Sequence, residues 1–406
     1  MALNTALSGI NAAQADLNVI ANNIANANTT GFKGSRAQFA DIYSVAGLNL
    51  SSTAIGSGVS LTNVSQQFGE GDLQTTGQSL DLAINGNGFF AVNNGSGVTY
   101  TRAGAFEQNS NGYVTTTDGS RLQIYPPNGA GGFDTSTLTD FSWIAAQSNA
   151  TATTTVTLPS NLPASASVPT NPFSTSDSTS YNNAQPVTVY DSQGGSHQAT
   201  VYYVKTATNS WNANLYVDGQ SAGTQAMTFN SSGALTTPSN GMLNFNSLTL
   251  GNGSAPLTLS LNVASTTQFG TAYSPGAYTE NGFPAGTLTG LDIDGNGIIT
   301  ANYSNSQSTQ IGQVAVANFA NVQGLNQIGN VSWAASTNSG QAVMGTAGVG
   351  QFGPIQSGTL ESSNTSDTTS QLVDMIQAQR DYQANAQVLT TDNTLASTLF
   401  SAISAR

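Results

Sequence analysis

The sequence predicts a mixed α and β fold in which both chain ends build a helical, coiled-coil-like terminal domain around two nested mainly-β domains. Three observations predict it. Near the N-terminus Leu3, Ile10, Leu17 and Ile24 recur at heptad spacing, with Ala6, Ala13, Ile20 and Ala27 following each of them, as in the a and d positions of a packed helical seam. Residues 361–406 carry a looser second seam through Leu372, Met375, Tyr382, Ala386, Leu389, Ala396, Phe400 and Ile403. The long middle is rich in Gly, Ser, Thr and Asn and breaks into short alternating runs bounded by turn residues, the pattern of a β protein.

Residues 3–27 read as one helix. It ends where Asn22, Asn23, Asn26 and Asn28 lower helix propensity and Thr29-Thr30-Gly31 breaks the apolar repeat. An isolated helix of this length is marginal in water, so its seam must pack on another helix. The C-terminal helix should begin near Asp367, whose side chain can cap free backbone N–H groups, and run to Ser404. Gln379 and Asn393 interrupt its a positions, as register-setting polar residues do. The two ends are expected to meet.

From Phe32 to Gly69 the chain reads as an irregular polar connector with one strand near Val59. The β region opens with Leu80 to Ile84 and Gly88 to Val92, separated by Asn85-Gly86-Asn87, a strong tight-turn signal between strands. Short runs at Thr99, Tyr113 and Leu122 continue it. Between Trp143 and Tyr273 the composition becomes richer in Thr, Ser and Pro and nearly free of charge, which reads as a separate β domain. Its clearest hairpin joins Val187–Tyr190 to Ala199–Val204 through a turn at Asp191 to Gly195. After Gly276 the first β region resumes. The expected domains are therefore 1–70 with 361–406 as the terminal helical core and connector, 71–146 with 277–360 as the first β domain, and 147–276 as an inserted outer β domain.

Charge is scarce: 7 basic and 20 acidic residues among 406 give a net charge of −13. That argues against nucleic acid, which needs clustered Lys and Arg, and against an anionic membrane surface. No apolar run approaches the ~18 to 20 residues that span a bilayer, so no membrane insertion is expected. The start lacks the basic and apolar regions of a secretory signal. Without Cys there are no disulfides, thiolate metal sites or thiol nucleophiles. Abundant neutral polar side chains suit a subunit that buries much of its surface in an assembly, because hydrogen bonds satisfy them where an unpaired charge would cost more to desolvate.

Two stretches invite a chemical reading. Asp292-Ile293-Asp294-Gly295-Asn296-Gly297 fits the first half of a calcium loop, but Tyr303 stands where a bidentate Glu is required, so we read a turn between two strands. His197 is the only histidine, and the proximity of Asp191 and Ser192 in sequence is no evidence of triad geometry. The chain is not read as an enzyme, and no catalytic, metal or cofactor site is expected. Two readings from other classes are a glycan-active protein working through paired carboxylates and a β-rich surface adhesin. The first lacks a cluster of acids and aromatics and the second a secretory signal or anchor; neither accounts for two heptad ends. Spacing alone leaves the terminal seams open between an internal helical core and packing between subunits.

Four motifs add a resemblance. Ala6 to Ile10 followed by Val19 to Lys33, with Asn22, Asn23, Ile24, Ala25, Asn26, Thr30, Gly31 and Phe32, is similar to the N-terminal signature of the bacterial flagellar rod and hook proteins. Gln371 to Asn385, with Gln379, Arg380 and Tyr382, resembles the other end of that family. So do Ser79 to Phe90 and Tyr100 to Phe106. The central insertion and residues 315–353 resemble the hook branch more than the distal rod proteins, which remain the alternative within the family.

The resemblance implies a structural subunit that polymerises into a curved, flexible tube, transmits motor torque from rod to filament and encloses an export channel. It turns the seams into packing between subunits through Leu3, Ile10, Leu17, Ile20, Ile24, Leu372, Met375, Tyr382, Leu389, Phe400 and Ile403. It makes Leu3 and Leu7 the candidate export signal. Implied partners are further copies of the chain, the distal rod, hook cap and hook-filament junction proteins, and the flagellar type III export apparatus. The implied location is the hook next to the basal body, outside the cell, reached without a cleaved signal peptide.

Overall fold

The computed structural model describes residues 2–42, 56–143 and 148–404. The chain divides into two compact units, Met1–Ala145 with Leu291–Ala301 and Thr309–Arg406, and Ala146–Gly290 with Asn302–Ser308. The expected boundary between residues 146 and 147 lies outside the described residues. The second unit runs past Gly276 to Gly290 because Thr279–Glu280 pairs with Thr155–Thr157, and Phe283 and Gly286 bridge to Thr151 and Ser148.

Two helices, α1 (Ala2–Ala25) and α2 (Thr368–Ser404), lie in the first unit. The carboxylate of Asp367 accepts the N–H of Thr369 at 3.1 Å and of Ser370 at 3.4 Å, which caps α2 at its expected start. The helices pack antiparallel. Asn23 Nδ2 donates to Gln371 Oε1 at 3.3 Å, and a Cβ on Gly9 would stand 2.4 Å from Asn385 Oδ1. That register puts the start of α1 level with Asp392. Residues 393–404 are exposed on every side and extend α2 by about 18 Å at the usual rise of a helix. No described helix is long and apolar enough to cross a membrane.

The stretch expected to be an irregular connector contains a two-stranded antiparallel ribbon, Ser35–Asp41 with Val59–Gln66, bulged between Gln38 and Phe39. It lies against α1, where Val59 N donates to Ser8 Oγ at 3.2 Å. The strand near Val59 is the expected one; Ser35–Asp41 escaped the sequence reading because it buries a single residue, Ala37, and the bulge breaks the alternation that would mark a core face.

The β part of the first unit is built around Phe89–Asn93, which pairs antiparallel with Val98–Thr101, Arg121–Tyr125 and Ser308–Asn318. Successive side chains of a strand point to opposite faces, and here both faces are buried. Phe90, Val92, Leu122, Ile124, Val314 and Val316 pack on one side with Leu82, Ile84 and Phe106. Phe89, Ala91, Tyr125, Ala315 and Ala317 pack on the other with Phe319 and Trp333. This is why Phe89 to Val92 and Val314 to Ala317 read as unbroken apolar runs.

The Asn85-Gly86-Asn87 turn does not close the hairpin that its composition suggests. Leu82–Ile84 pairs with Ile355–Ser357 instead. The turn's backbone is claimed by other segments: Arg102 donates to the carbonyls of Ile84 at 2.9 Å and Gly86 at 2.5 Å, and Gly353 N donates to Asn87 O at 2.9 Å.

The second unit is a five-stranded antiparallel meander, Asn183–Tyr190, Ser196–Ala207, Ser210–Val217, Gln220–Phe229 and Leu235–Thr237, together with shorter strands that include Thr155–Thr157, Ser160–Pro163 and Ser260–Asn262. The expected hairpin is present, with Tyr190 opposite Ser196 and Asp191 N donating to Gly195 O at 3.0 Å. Val187, Val189, Val201, Tyr203, Trp211 and Leu215 point into one core with Val156, Leu162 and Leu261. Inside it the Trp211 indole N–H reaches Gln268 Oε1 at 3.1 Å, so the indole's one donor is satisfied.

Candidate assembly interface

The heptad seam of α1 splits into two halves. Ala6, at 3 % exposure, and Ala13, Ile20 and Ala27 are buried within the chain, whereas Ile10, Leu17 and Ile24 are only half-buried and Leu3 and Leu7 are exposed. On α2 the face toward α1 is Met375, Ala378, Asn385, Ala386 and Leu389, of which Ala378 alone is fully buried. Among the polar residues of its remaining surface, Leu372, Val373, Ile376, Tyr382, Val388, Leu395, Leu399, Phe400 and Ile403 are exposed. Of the seam residues expected to pack between subunits, Ile20 is thus buried within the chain, Leu372 and Tyr382 are exposed, and Phe400 and Ile403 are exposed on the part of α2 that extends past the start of α1. Exposed apolar side chains in this number on one helix mark a candidate interaction surface.

Several signature residues at the end of α1 and just after it hold the chain's own architecture together. Asn23 is buried, and its amide accepts Ser35 N at 2.9 Å and donates to Ser35 O at 2.8 Å while its carbonyl accepts Thr365 Oγ1 at 3.1 Å. One side chain therefore ties the end of α1 to the ribbon and to Gln371 at the start of α2. The carbonyl of Asn22 accepts both the backbone N–H and the side-chain amide of Asn26. Ala25 is exposed. Thr30 is half-buried and leads into Gly31, which has φ +69° and donates to Glu361 O at 2.8 Å; a Cβ there would meet Ala103 N at 2.5 Å. Only glycine fits. Phe32 is buried. At the other end Gln379 and Arg380 are exposed on α2.

Beside Gly31 lies a buried charge cluster. Lys33 Nζ is 2.5 Å from Glu361 Oε1 and 2.8 Å from Gly69 O, and Arg102 Nε is 3.7 Å from Glu361 Oε2. Glu361 Oε1 also accepts Gly71 N at 2.9 Å. Both Lys33 and Glu361 side chains are wholly out of solvent. Burial pushes Lys33 and Arg102 below their ordinary basicity, against the opposing pull of Glu361. The cluster joins the exit of α1, the strand preceding α2 and the first β layer. Sequence reading quoted Lys33 and Arg102 within motifs but missed Glu361. The available signal was the scarcity of charge, which makes each ionised residue near a motif a candidate for burial.

Asp16 on α1 faces Asp374 and Asp381 on α2, and partial burial followed by those two like charges holds its carboxyl above the ordinary range. An acid whose pKa is raised on folding disfavours the folded state at any pH where it is ionised, and the penalty disappears as pH falls through the raised value. Acidification from neutral should therefore tighten the helix pair. Asp16→Asn should raise the thermal midpoint of helical circular dichroism at neutral pH and flatten its acid dependence.

Elsewhere, the Asp294 carboxylate accepts the N–H of Asn296 and of Ile298, each at 2.9 Å, so it closes the expected turn. Ser192 Oγ accepts Ala255 N at 2.9 Å, and the ring nitrogens of His197 pair with Asp191 and Asp218.

With this geometry in place, four family models match in order along the chain: the flagella basal body rod protein over residues 3–33, the flagellar hook protein FlgE/F/G D1 domain over 83–169, the flagellar basal body protein FlaE D2 domain over 161–283, and the flagellar basal body rod FlgEFG protein C-terminal region over 356–402. The flagellar hook protein FlgE of Salmonella typhimurium strain LT2 is 39 % identical over 98 % of this chain and 99 % of its own. That of Escherichia coli K12 is 40 % identical over the same shares. A crystal structure of Helicobacter pylori flagellar hook protein FlgE2 overlaps 70 % of this chain and 99 % of its own at a TM-score of 0.49 and 13 % identity. At 39 % identity over nearly the full length of both chains, this chain belongs to the flagellar hook protein FlgE family.

Proposed function

We propose that the chain is the structural subunit of a flagellar hook, polymerising into a curved tube that passes motor torque from rod to filament and surrounds an export channel. The observation that carries this reading is the set of exposed apolar side chains along α2 and its overhang beyond α1, which one copy leaves open and a helical array of copies would cover. Both chain ends would form the coiled-coil-like inner tube through Leu3, Ile10, Leu17, Ile24, Leu372, Met375, Tyr382, Leu389, Phe400 and Ile403, with residues 71–146 and 277–360 as a middle layer and 147–276 outermost. The nearly uncharged outer domain, rich in Ser, Thr and Asn, would slide against its neighbours with little energetic penalty while the seams hold.

The partners of this reading are the distal rod, the hook cap, the hook-filament junction and the flagellar export apparatus. Leu3 and Leu7, both exposed, would present the export signal, and no leader would be cleaved. The test is electron microscopy of the purified chain after induced polymerisation, with and without residues 147–276. The full chain should give curved tubes and the deletion straight or wrongly curved ones. Loss of all tubes on deletion, with tubes surviving removal of residues 368–406, would overturn the layer assignment.

A further inference from the structure

His197, the only histidine of the chain, stands at the start of strand Ser196–Ala207 with a carboxylate at each ring nitrogen. Nδ1 is 2.5 Å from Asp218 Oδ2 and Nε2 is 3.1 Å from Asp191 Oδ2. A neutral imidazole has one N–H and one acceptor lone pair, and an ionised carboxylate only accepts. Both contacts are hydrogen bonds only when the ring carries both protons.

The two carboxylates are anchored without the ring. Asp191 is fully buried, accepts the N–H groups of Gln193 and Gly195 at 2.8 Å each and takes the Asn252 amide at 2.6 Å. Against the effect of burial, His197 and then these donors hold its carboxyl far below the usual range. Asp218, half-exposed in the turn between Ser210–Val217 and Gln220–Phe229, accepts Gln198 N at 3.0 Å. Asp191 and Asp218 are the charged groups acting on the ring; the loop at Asn252 contributes a neutral amide.

We propose that His197 is a protonation-operated staple that ties the Asp191 turn, the Asp218 turn and, through Asp191, the Asn252 loop into one stiff end of the second unit, and that this end loosens in alkaline surroundings. Burial disfavours the charged ring, but the bonds to Asp218 and Asp191 outweigh it and hold the imidazole above its ordinary pKa. The contribution is therefore complete below the ordinary value near 6.5 and is lost as pH climbs through the raised one. A deprotonated ring keeps one N–H, and its other nitrogen turns a lone pair toward a carboxylate. One of the two ties must open.

A single histidine makes the test direct. Nitrogen-15 NMR of the full-length monomer should show a titration midpoint above the ordinary value near 6.5, with both ring nitrogens protonated below it. Asp218→Asn, in an exposed turn, should lower that midpoint by about one pH unit or more. Amide exchange at Gln193 and Gly195, corrected for intrinsic rate, should accelerate above the midpoint in the native chain and be insensitive to pH in His197→Gln. A midpoint at or below about 6.5, or one that Asp218→Asn leaves in place, would overturn the proposal. The first measurement needs no variant to fold.

Discussion

Replacing Glu361 by Gln should destabilise the first unit by about 3 to 5 kcal/mol, the range for breaking a buried ion pair by removing one partner. The size follows from what stays behind. Lys33 and Arg102 are both buried, and the Glu361 carboxylate is the acceptor that meets Lys33 at 2.5 Å and faces Arg102 at 3.7 Å. Glutamine preserves shape and can still accept from Gly71, so the loss isolates charge rather than volume. Lys33, already pushed down by burial, would lose its proton more readily, and the variant's stability should recover part of the deficit as pH rises. Glu107→Gln on an exposed strand makes the same formal change where solvent screens it, and should cost no more than about 0.5 kcal/mol. Denaturant titration of the full chain compares the two. Equal losses would mean that the cluster contributes nothing beyond packing.

That cluster also marks the limit of what the sequence makes legible. Features set by near neighbours were readable: α2 begins at Thr368 behind the Asp367 cap, α1 stops at Ala25 among asparagines, and the Asp191 turn joins the strands it was expected to join. Features set by distant partners were not. Lys33 and Glu361 are 328 residues apart, and nothing near either one names the other. The Asn85 turn has hairpin composition, yet Arg102 and Gly353 take its carbonyls and send the two strands to different partners. Heptad spacing located the seam of α1 but could not divide it, because a and d residues look alike until the folded chain buries Ala6, Ala13, Ile20 and Ala27 and leaves Ile10, Leu17 and Ile24 half-buried.

The division of the seam leads to the second large effect: Phe400→Asp and Leu395→Asp should each abolish polymerisation while leaving the monomer unchanged. In one chain Phe400 is 75 % exposed and Leu395 65 % exposed, so a carboxylate at either place is already hydrated and the fold should shift by no more than about 0.5 kcal/mol. Covering the same positions with a neighbouring copy strips that hydration, and an unpaired buried charge costs several kcal/mol in every subunit, on the order of 3 or more. Since about 1.4 kcal/mol is tenfold in an equilibrium constant, the concentration needed for assembly should rise by two orders of magnitude or more. Ile20→Asp is the contrasting case. Ile20 is 6 % exposed within the chain, so its replacement should melt the α1–α2 pair in the monomer as well, visible as lost helical circular dichroism before any assembly is attempted. Sedimentation of polymer against monomer, with circular dichroism on the same samples, separates the two outcomes. If Phe400→Asp and Leu395→Asp pellet as tubes at the unmodified chain's threshold, the overhang of α2 is not an assembly surface and the inner layer must be built on another face.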